Sequence, residues 1–151
     1  MIATLRREYT FEAAHRLPYV PEGHKCGRWH GHSYRVAVLV RGPVGAMGWV
    51  CDFAEIDAVA RPVIAMLDHS SLNATLPNPT SELLCMWLLR EFARVPHLYA
   101  VQVCETERSS CMVAVDDVEM LARDADESDH DEHAARLEVA RVALRALVAP
   151  R

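Results

Sequence analysis

The spacing of apolar residues changes twice along this chain, and the change limits the folds open to it. Apolar and polar side chains alternate over residues 2–11 and again over about 33–41. The same alternation returns over residues 99–105 and 111–115. Alternation of this kind is typical of half-buried strands. Two pairs of strands are therefore predicted, one within residues 2–41 and the other within residues 99–115.

Between the two pairs, the apolar residues recur at helical spacing. Residues 53–67 carry them three and four positions apart, which predicts a helix with a kink or break at Pro62. A second helix, apolar on most sides, is predicted from an N-cap at Asn78, with Pro79 at its first position, to about Arg94. The order β-β-α-α-β-β predicts an α+β fold, in which two helices pack on a four-stranded antiparallel sheet.

The last part of the chain follows neither pattern. Residues 124–133 are mostly acidic, and residues 134–148 are rich in Ala, Leu, Val and Arg with one helical apolar stripe. A length of 151 residues suits one domain. We therefore expect a domain over residues 1–122, followed by an acidic linker and a tail helix over residues 123–151.

Charge and cysteine content exclude several classes of function. The formal net charge is -5, so no surplus of cations is available for binding a nucleic-acid backbone. No apolar run approaches the roughly 20 residues of a membrane span, and the first residues resemble no signal peptide. The five cysteines are scattered without the spacing of a disulfide framework. A cytoplasmic protein without nucleic-acid or membrane partners is expected.

Three histidines form a candidate metal site. His30 and His32 flank Gly31, so an extended backbone places both imidazoles on one face. His15 ends the first strand, and the loop 16–29 can fold back to bring it beside the pair. Three imidazoles with an open fourth position are typical of a catalytic zinc site. The alternative is three unrelated loop histidines.

Cys26 lies four residues before His30, and two roles are open to it. It could be a fourth ligand, which would make a closed structural zinc site. It could instead be a reactive thiol beside the metal.

Three carboxylate and imidazole side chains further along are also candidates. Asp68 and His69 follow the first helix, and a carboxylate can fix the tautomer of an imidazole. Neighbours on a helix do not face each other, however, so His69 could simply suit the negative end of the helix dipole. Glu105 has the apolar parity of its strand and could anchor a ligand through two N–H groups, unless the strand has ended and the side chain is exposed.

Several motifs, taken in order, match one known family. They are Phe11-Glu-Ala-Ala-His15, Cys26-Gly-Arg-Trp-His30-Gly-His32-Ser33, Leu67-Asp68-His69, Leu72-Asn73, Asn78-Pro79-Thr80-Ser81-Glu82 and Glu105-Thr106. Together they resemble the family of the 6-pyruvoyl-tetrahydropterin synthases, over about residues 1–118. The Cys-x3-His-Gly-His spacing is similar to that of the bacterial branch, the 6-carboxy-5,6,7,8-tetrahydropterin synthases of queuosine biosynthesis.

The resemblance implies a fold, an assembly and a metal. The fold would be the tunnelling (T-) fold, whose trimers close their sheets into a barrel and stack in pairs into a homo-hexamer. Active sites would lie between subunits. Zn²⁺ would be bound by His15, His30 and His32.

The resemblance also implies roles for the other candidates. Cys26 would be the general base. Asp68 and His69 would form a relay that meets it across a subunit interface. Glu105, with Thr106 beside it, would bind the amino-pyrimidine edge of a pterin.

The implied substrate is 7,8-dihydroneopterin triphosphate, converted with loss of acetaldehyde and triphosphate. Lys25, Arg16 and Arg28 are near enough in sequence to steer the triphosphate. Two other enzymatic outcomes stay open: a 6-pyruvoyl product, or a 6-hydroxymethyl product of the folate pathway, although relatives of that last kind tend to have Glu in place of Cys26. A non-catalytic zinc- or pterin-binding protein is the alternative outside the enzymes.

Overall fold

The structure is a computed structural model that describes residues 1–118. The expected domain end at 122, the acidic linker and the tail helix lie outside the described residues. Within residues 1–118, no helix has the length and apolar character needed to cross a membrane. The strands and helices are β1 (Ile2–His15), β2 (His30–Pro43), α1 (Phe53–Leu67), β3 (Ser70–Ser71), α2 (Ser81–Glu91), β4 (Leu98–Thr106) and β5 (Ser109–Ala114).

One five-stranded sheet organises these elements, in the order β3-β1-β2-β4-β5. The four long strands pair antiparallel, as expected. The expectation of a purely antiparallel four-stranded sheet was wrong in one respect, because β3 adds a fifth, parallel strand beside Ala13 and Ala14. A strand of two residues is too short to produce a periodic pattern, so it could not be predicted in this way.

The first two strands extend further into the connecting loop than the alternation predicted. β1 ends at His15 and β2 begins at His30, and these two residues are directly opposite each other in the register. Two of the three candidate metal ligands thus lie at the same end of one strand pair. A 3₁₀ turn at Lys25–Gly27 interrupts the loop between them.

The sheet buries one face against the two helices. In β1 the buried side chains alternate with exposed ones and include Tyr9, Phe11 and His15. In β2 the inward parity continues from His32 to Tyr34, whose ring stacks on that of Phe11 at a centroid distance of 4.9 Å. The histidines therefore belong to the same inward face as the hydrophobic core.

The helix boundaries differ from the predicted ones. Helix α1 starts with a capping box between Asp52 and Glu55 and runs without a break through Pro62. Helix α2 is capped by Thr80, whose hydroxyl accepts a hydrogen bond from the N–H of Leu83 at 3.3 Å. The predicted N-cap, Asn78, was therefore wrong by two residues. Asn and Thr both suit an N-cap, so local preference alone does not choose between them.

An ionic cluster fastens α1 to β1. Asp57 accepts two hydrogen bonds from the guanidinium of Arg7, at 2.9 and 2.7 Å, and one from the hydroxyl of Tyr9 at 2.7 Å. Arg61 donates a further bond to it at 3.1 Å. These donors, Arg7 foremost, hold the pKa of the Asp57 carboxyl far below its usual value.

We expect Asp57→Asn to lower the melting temperature at pH 7. A depressed carboxyl pKa stabilises the fold above the unfolded value near 3.9 and loses that contribution as the pH falls through the folded value. The difference between parent and variant should therefore shrink on acidification. Thermal melts at pH 7 and pH 3 measure it, with the exposed Asp116→Asn as the control. Equal melting temperatures for parent and Asp57→Asn at pH 7 would contradict the prediction.

Candidate metal and substrate site

Three imidazoles meet where β1 and β2 come together. The ring centroids of His15 and His30 are 4.5 Å apart, those of His30 and His32 5.0 Å, and those of His15 and His32 5.2 Å. One nitrogen from each ring lies within 4.8 Å of the others. The two histidines of the His-Gly-His segment share the inward face, and the fold-back of the loop brings His15 beside them. Together they could hold a metal ion.

Backbone carbonyls orient two of these rings. Nδ1 of His15 lies 2.9 Å from the carbonyl oxygen of Pro79, and Nδ1 of His30 lies 2.7 Å from that of Arg28. A carbonyl only accepts, so each Nδ1 carries the proton and leaves a lone pair on Nε2. Nε2 of His15 is buried and has no hydrogen-bond partner within the protein. An oriented, buried and unpaired acceptor is the arrangement that a metal ion satisfies.

Burial favours the metal-binding form of His15 and His32. His15 is 1% exposed, and burial lowers its pKa. Burial likewise lowers the pKa of His32, against an opposing effect from the carboxylate of Glu105. A lowered pKa favours the neutral imidazole, which has the lone pair that a metal requires.

A cleft of about 560 Å³ opens over the imidazoles. We call it the histidine cleft. It brings together most of the site residues predicted from the sequence. Its lining consists of His15, Leu17, Lys25, Cys26, Arg28, Trp29, His30, His32, Glu105, Thr106 and Ser109.

Cys26 lies beside the three imidazoles rather than among them. It is half-buried within the 3₁₀ turn, where its carbonyl accepts a hydrogen bond from the N–H of Leu17 at 2.8 Å. Its own N–H donates to Nδ1 of His24 at 3.1 Å. Among residues 1–118, the group whose atoms are close enough to share a metal comprises the histidines alone. This geometry favours an open metal site with a neighbouring thiol over a closed four-ligand site.

Glu105 lies on the inward face of β4 and lines the histidine cleft. The strand continues to Thr106, so Glu105 is not beyond its end. Its side chain is half-buried, with the same parity as the buried Val101 and Val103. A half-buried carboxylate in an open cleft is suited to accept hydrogen bonds from a ligand.

Asp68 and His69 do not line the histidine cleft. Helix α1 ends at Leu67, and the backbone of His69 adopts the left-handed region with φ 54. In that conformation its Nδ1 lies 3.0 Å from a carboxylate oxygen of Asp68, although the two are sequence neighbours. The other oxygen accepts the N–H of Glu12 at 2.8 Å, and this bond foremost lowers the pKa of Asp68. The His69 side chain is 78% exposed.

Some groups that shape the site were not among the residues predicted from the sequence. Tyr34 follows the histidines on the inward face of β2, with its ring centroid 5.5 Å from that of His32, and burial raises its pKa. Its parity with His30 and His32 was visible in the sequence. The carbonyls of Arg28 and Pro79 gave no such signal, because every residue has a carbonyl.

Comparison with known protein families identifies the family of this chain. The sequence profile of the 6-pyruvoyl tetrahydropterin synthase family matches residues 4–115. The chain belongs to this family. The resemblance drawn from the motifs is therefore confirmed.

Individual members of the family are similar to this chain over most of their own length. A 6-carboxy-5,6,7,8-tetrahydropterin synthase of Synechocystis is 42% identical over 110 residues, which are 66% of this chain and 84% of the relative. A protein of Archaeoglobus fulgidus, with the same name given provisionally, is 38% identical over 100 residues, covering 65% of this chain and 84% of its own. The solved structure of Caenorhabditis elegans 6-pyruvoyl tetrahydropterin synthase is 27% identical and superposes with a TM-score of 0.68, covering 76% of this chain and 96% of that one.

Proposed function

We propose that the chain converts 7,8-dihydroneopterin triphosphate to 6-carboxy-5,6,7,8-tetrahydropterin, with release of acetaldehyde and triphosphate. The product would enter queuosine biosynthesis in the cytoplasm. One observation carries the proposal. Three imidazoles that could hold a metal ion line the same cleft as the free thiol of Cys26 and the carboxylate of Glu105. The names of the Synechocystis and Archaeoglobus relatives support this product over the 6-pyruvoyl one.

The histidines are proposed to hold Zn²⁺. His15, His30 and His32 would supply three ligands and leave a position for substrate. Zinc bound there supplies Lewis acidity to the hydroxyl groups of the pterin side chain. The carbonyls of Arg28 and Pro79 hold two of the rings in the tautomer that binding needs.

Cys26 is proposed as the general base. The reaction requires removal of a carbon-bound proton, and a thiolate within the same cleft can take it. In the hexamer proposed below, Asp68 and His69 of another subunit would receive that proton. Their mutual contact at 3.0 Å and the exposure of His69 support a role toward a neighbouring chain.

Glu105 is proposed to bind the 2-amino-pyrimidine edge of the pterin, with Thr106 beside it. We expect Glu105→Ala to weaken neopterin binding by about 10-fold to 100-fold, because the N–H groups of the ligand lose a charged acceptor. Calorimetric titration with neopterin measures the change. Glu107→Ala, an exposed carboxylate two residues away, is the matched control. Unchanged affinity in Glu105→Ala would show that the pterin lies elsewhere.

The open edges of the sheet support a homo-hexamer. Within residues 1–118, β3 pairs with only Ala13 and Ala14, so most of the outer edge of β1 carries free backbone groups. The outer edge of β5 has no neighbouring strand in the described sheet. Edges of this kind pair with another chain or are covered. Light scattering of the full chain should give the mass of six copies, and a monomer would contradict the assembly.

Product analysis tests the proposed reaction. The purified protein is incubated with 7,8-dihydroneopterin triphosphate, and the pterins are identified by mass spectrometry. The 6-carboxy product together with acetaldehyde is expected. A 6-pyruvoyl product without acetaldehyde would assign the chain to the other enzymatic outcome, and unchanged substrate would favour a binding protein.

A further inference from the structure

The side chain of Asn73 holds the backbone of Arg16 at two points. Its Oδ1 accepts a hydrogen bond from the N–H of Arg16 at 2.9 Å, and its Nδ2 donates one to the carbonyl oxygen of Arg16, also at 2.9 Å. We call these two bonds the Asn73 clamp. Asn73 belongs to the Leu72-Asn73 motif, which has no part in the proposed reaction. We infer that the clamp positions Cys26 relative to the three-histidine group, an inference that rests on the proposed function for the role of the thiol.

An asparagine suits the clamp because its amide both donates and accepts, as a backbone peptide group does. The amide continues the parallel pairing of β3 with β1 beyond the last residue pair of that ladder, Ala14 and Ser71. It extends from the 3₁₀ turn Leu72–Ala74. The side chain of Leu72 is fully buried, and its carbonyl accepts two backbone N–H groups, at 3.0 and 2.8 Å. The clamp is therefore attached to a fixed part of the fold.

The clamped residue connects the metal site to the proposed general base. Strand β1 ends at His15, which lies opposite His30, so Arg16 is beyond the pairing of the two strands. The next residue, Leu17, donates its N–H to the carbonyl oxygen of Cys26 at 2.8 Å. Three consecutive residues thus carry a metal ligand, the clamp and the bond to the turn that contains the thiol.

The clamp supports the thiol more than the histidines. His15 has supports of its own, because it pairs with His30 and its Nδ1 lies 2.9 Å from the carbonyl oxygen of Pro79. Within the part of the chain that the structure describes, the other hydrogen bonds of the turn around Cys26 join residues two or three positions apart. The bond from Leu17 therefore relates the thiol to β1, and a displaced backbone at position 16 would move the thiol while the imidazoles stay together.

Hydrogen exchange of single amides tests the connection in the full chain without metal. Exchange is read by mass spectrometry with electron-transfer fragmentation. In Asn73→Ala the N–H of Leu17 keeps its own acceptor, so its exchange should accelerate because the clamp no longer holds the neighbouring peptide. We expect an acceleration of about tenfold, the equivalent of one hydrogen bond. The amide of Val36, in the centre of the sheet, should exchange at the parental rate.

Turnover of the zinc-loaded chain gives the functional readout. We expect Asn73→Ala to lower kcat by about 10- to 100-fold, the range for a displaced catalytic group, with zinc and neopterin affinities unchanged. A merely structural clamp would lower the melting temperature and leave kcat unchanged well below it. Asn73→Asp can still accept the N–H of Arg16 but cannot donate when ionised, so its kcat should be intermediate. Gln102→Ala, which removes an amide bond to the Ser110 hydroxyl, should match the parent.

The outcomes separate this inference from the proposed reaction. Parental exchange at Leu17 in Asn73→Ala, or parental kcat in both Asn73 variants, would overturn the inference. Loss of zinc from Asn73→Ala would also overturn it, because the clamp would then support the histidines instead. If Asn73→Ala does not fold, Asn73→Asp provides both measurements. A parent that yields no pterin product would contradict the proposed reaction, whereas accelerated exchange at Leu17 in the same chain would still support the connection to Cys26.

Discussion

Cys26→Ala is expected to retain metal, fold and neopterin affinity while losing turnover by about 10²–10⁴-fold, the range for a missing general base. The thiol lies in the histidine cleft but outside the three-histidine group, so its removal leaves the metal ligands in place. It is half-buried in a turn held by backbone hydrogen bonds, which the substitution does not alter. Metal content and turnover are measured on the same preparation.

Cys111→Ala serves as the control for Cys26→Ala. Cys111 is also a free, half-buried cysteine, and it lies on β5 outside the residues that line the histidine cleft. Its replacement should leave turnover at the parental level. Loss of metal together with turnover in Cys26→Ala would make the thiol a fourth ligand, and full turnover would remove it from the chemistry.

His30→Ala is expected to bind zinc at least 100-fold more weakly and to lose turnover with it. Disturbing only the groups around a metal ligand reduces affinity by about 10–100-fold, so removing a ligand should exceed that range. His30 is less buried than His15, so the fold tolerates its loss more readily. Zinc titration with a competing chelator measures the affinity.

His97→Asn is the matched control for His30→Ala. His97 lies outside the three-histidine group and has a left-handed backbone with φ 54, which asparagine tolerates. Its zinc affinity should equal that of the parent. Equal affinity in His30→Ala would remove this histidine from the metal site.

Side chains of a strand point alternately to the two faces of the sheet, and this alternation explains why much of the site could be predicted from the sequence. A strand that places Phe11 toward the core places His15 there too, and the same parity carries from Val36 back to His32. The histidine cluster is thus an extension of the core pattern into polar residues. Glu105 was located by the same argument, from the parity of Val101 and Val103.

Features that depend on contacts between distant segments were not predictable in this way. The two residues of β3 pair with β1 only because helix α1 delivers them there. The contact between Asp68 and His69 depends on a left-handed backbone that no periodic pattern reveals. The closure of the loop between β1 and β2 depends on the hydrogen bond between Leu17 and Cys26, nine positions apart in the chain.

The central claim is that the three-histidine group is a catalytic metal centre, and stepwise restoration of zinc tests it most directly. The full chain is stripped of metal with a chelator, zinc is returned in measured amounts, and acetaldehyde release from 7,8-dihydroneopterin triphosphate is followed at each step. Turnover should be absent without metal, rise linearly with bound zinc and stop rising at one zinc per chain, as expected for the single three-histidine group of residues 1–118. Turnover by the stripped protein, or a fully loaded protein that releases no acetaldehyde, would contradict the claim.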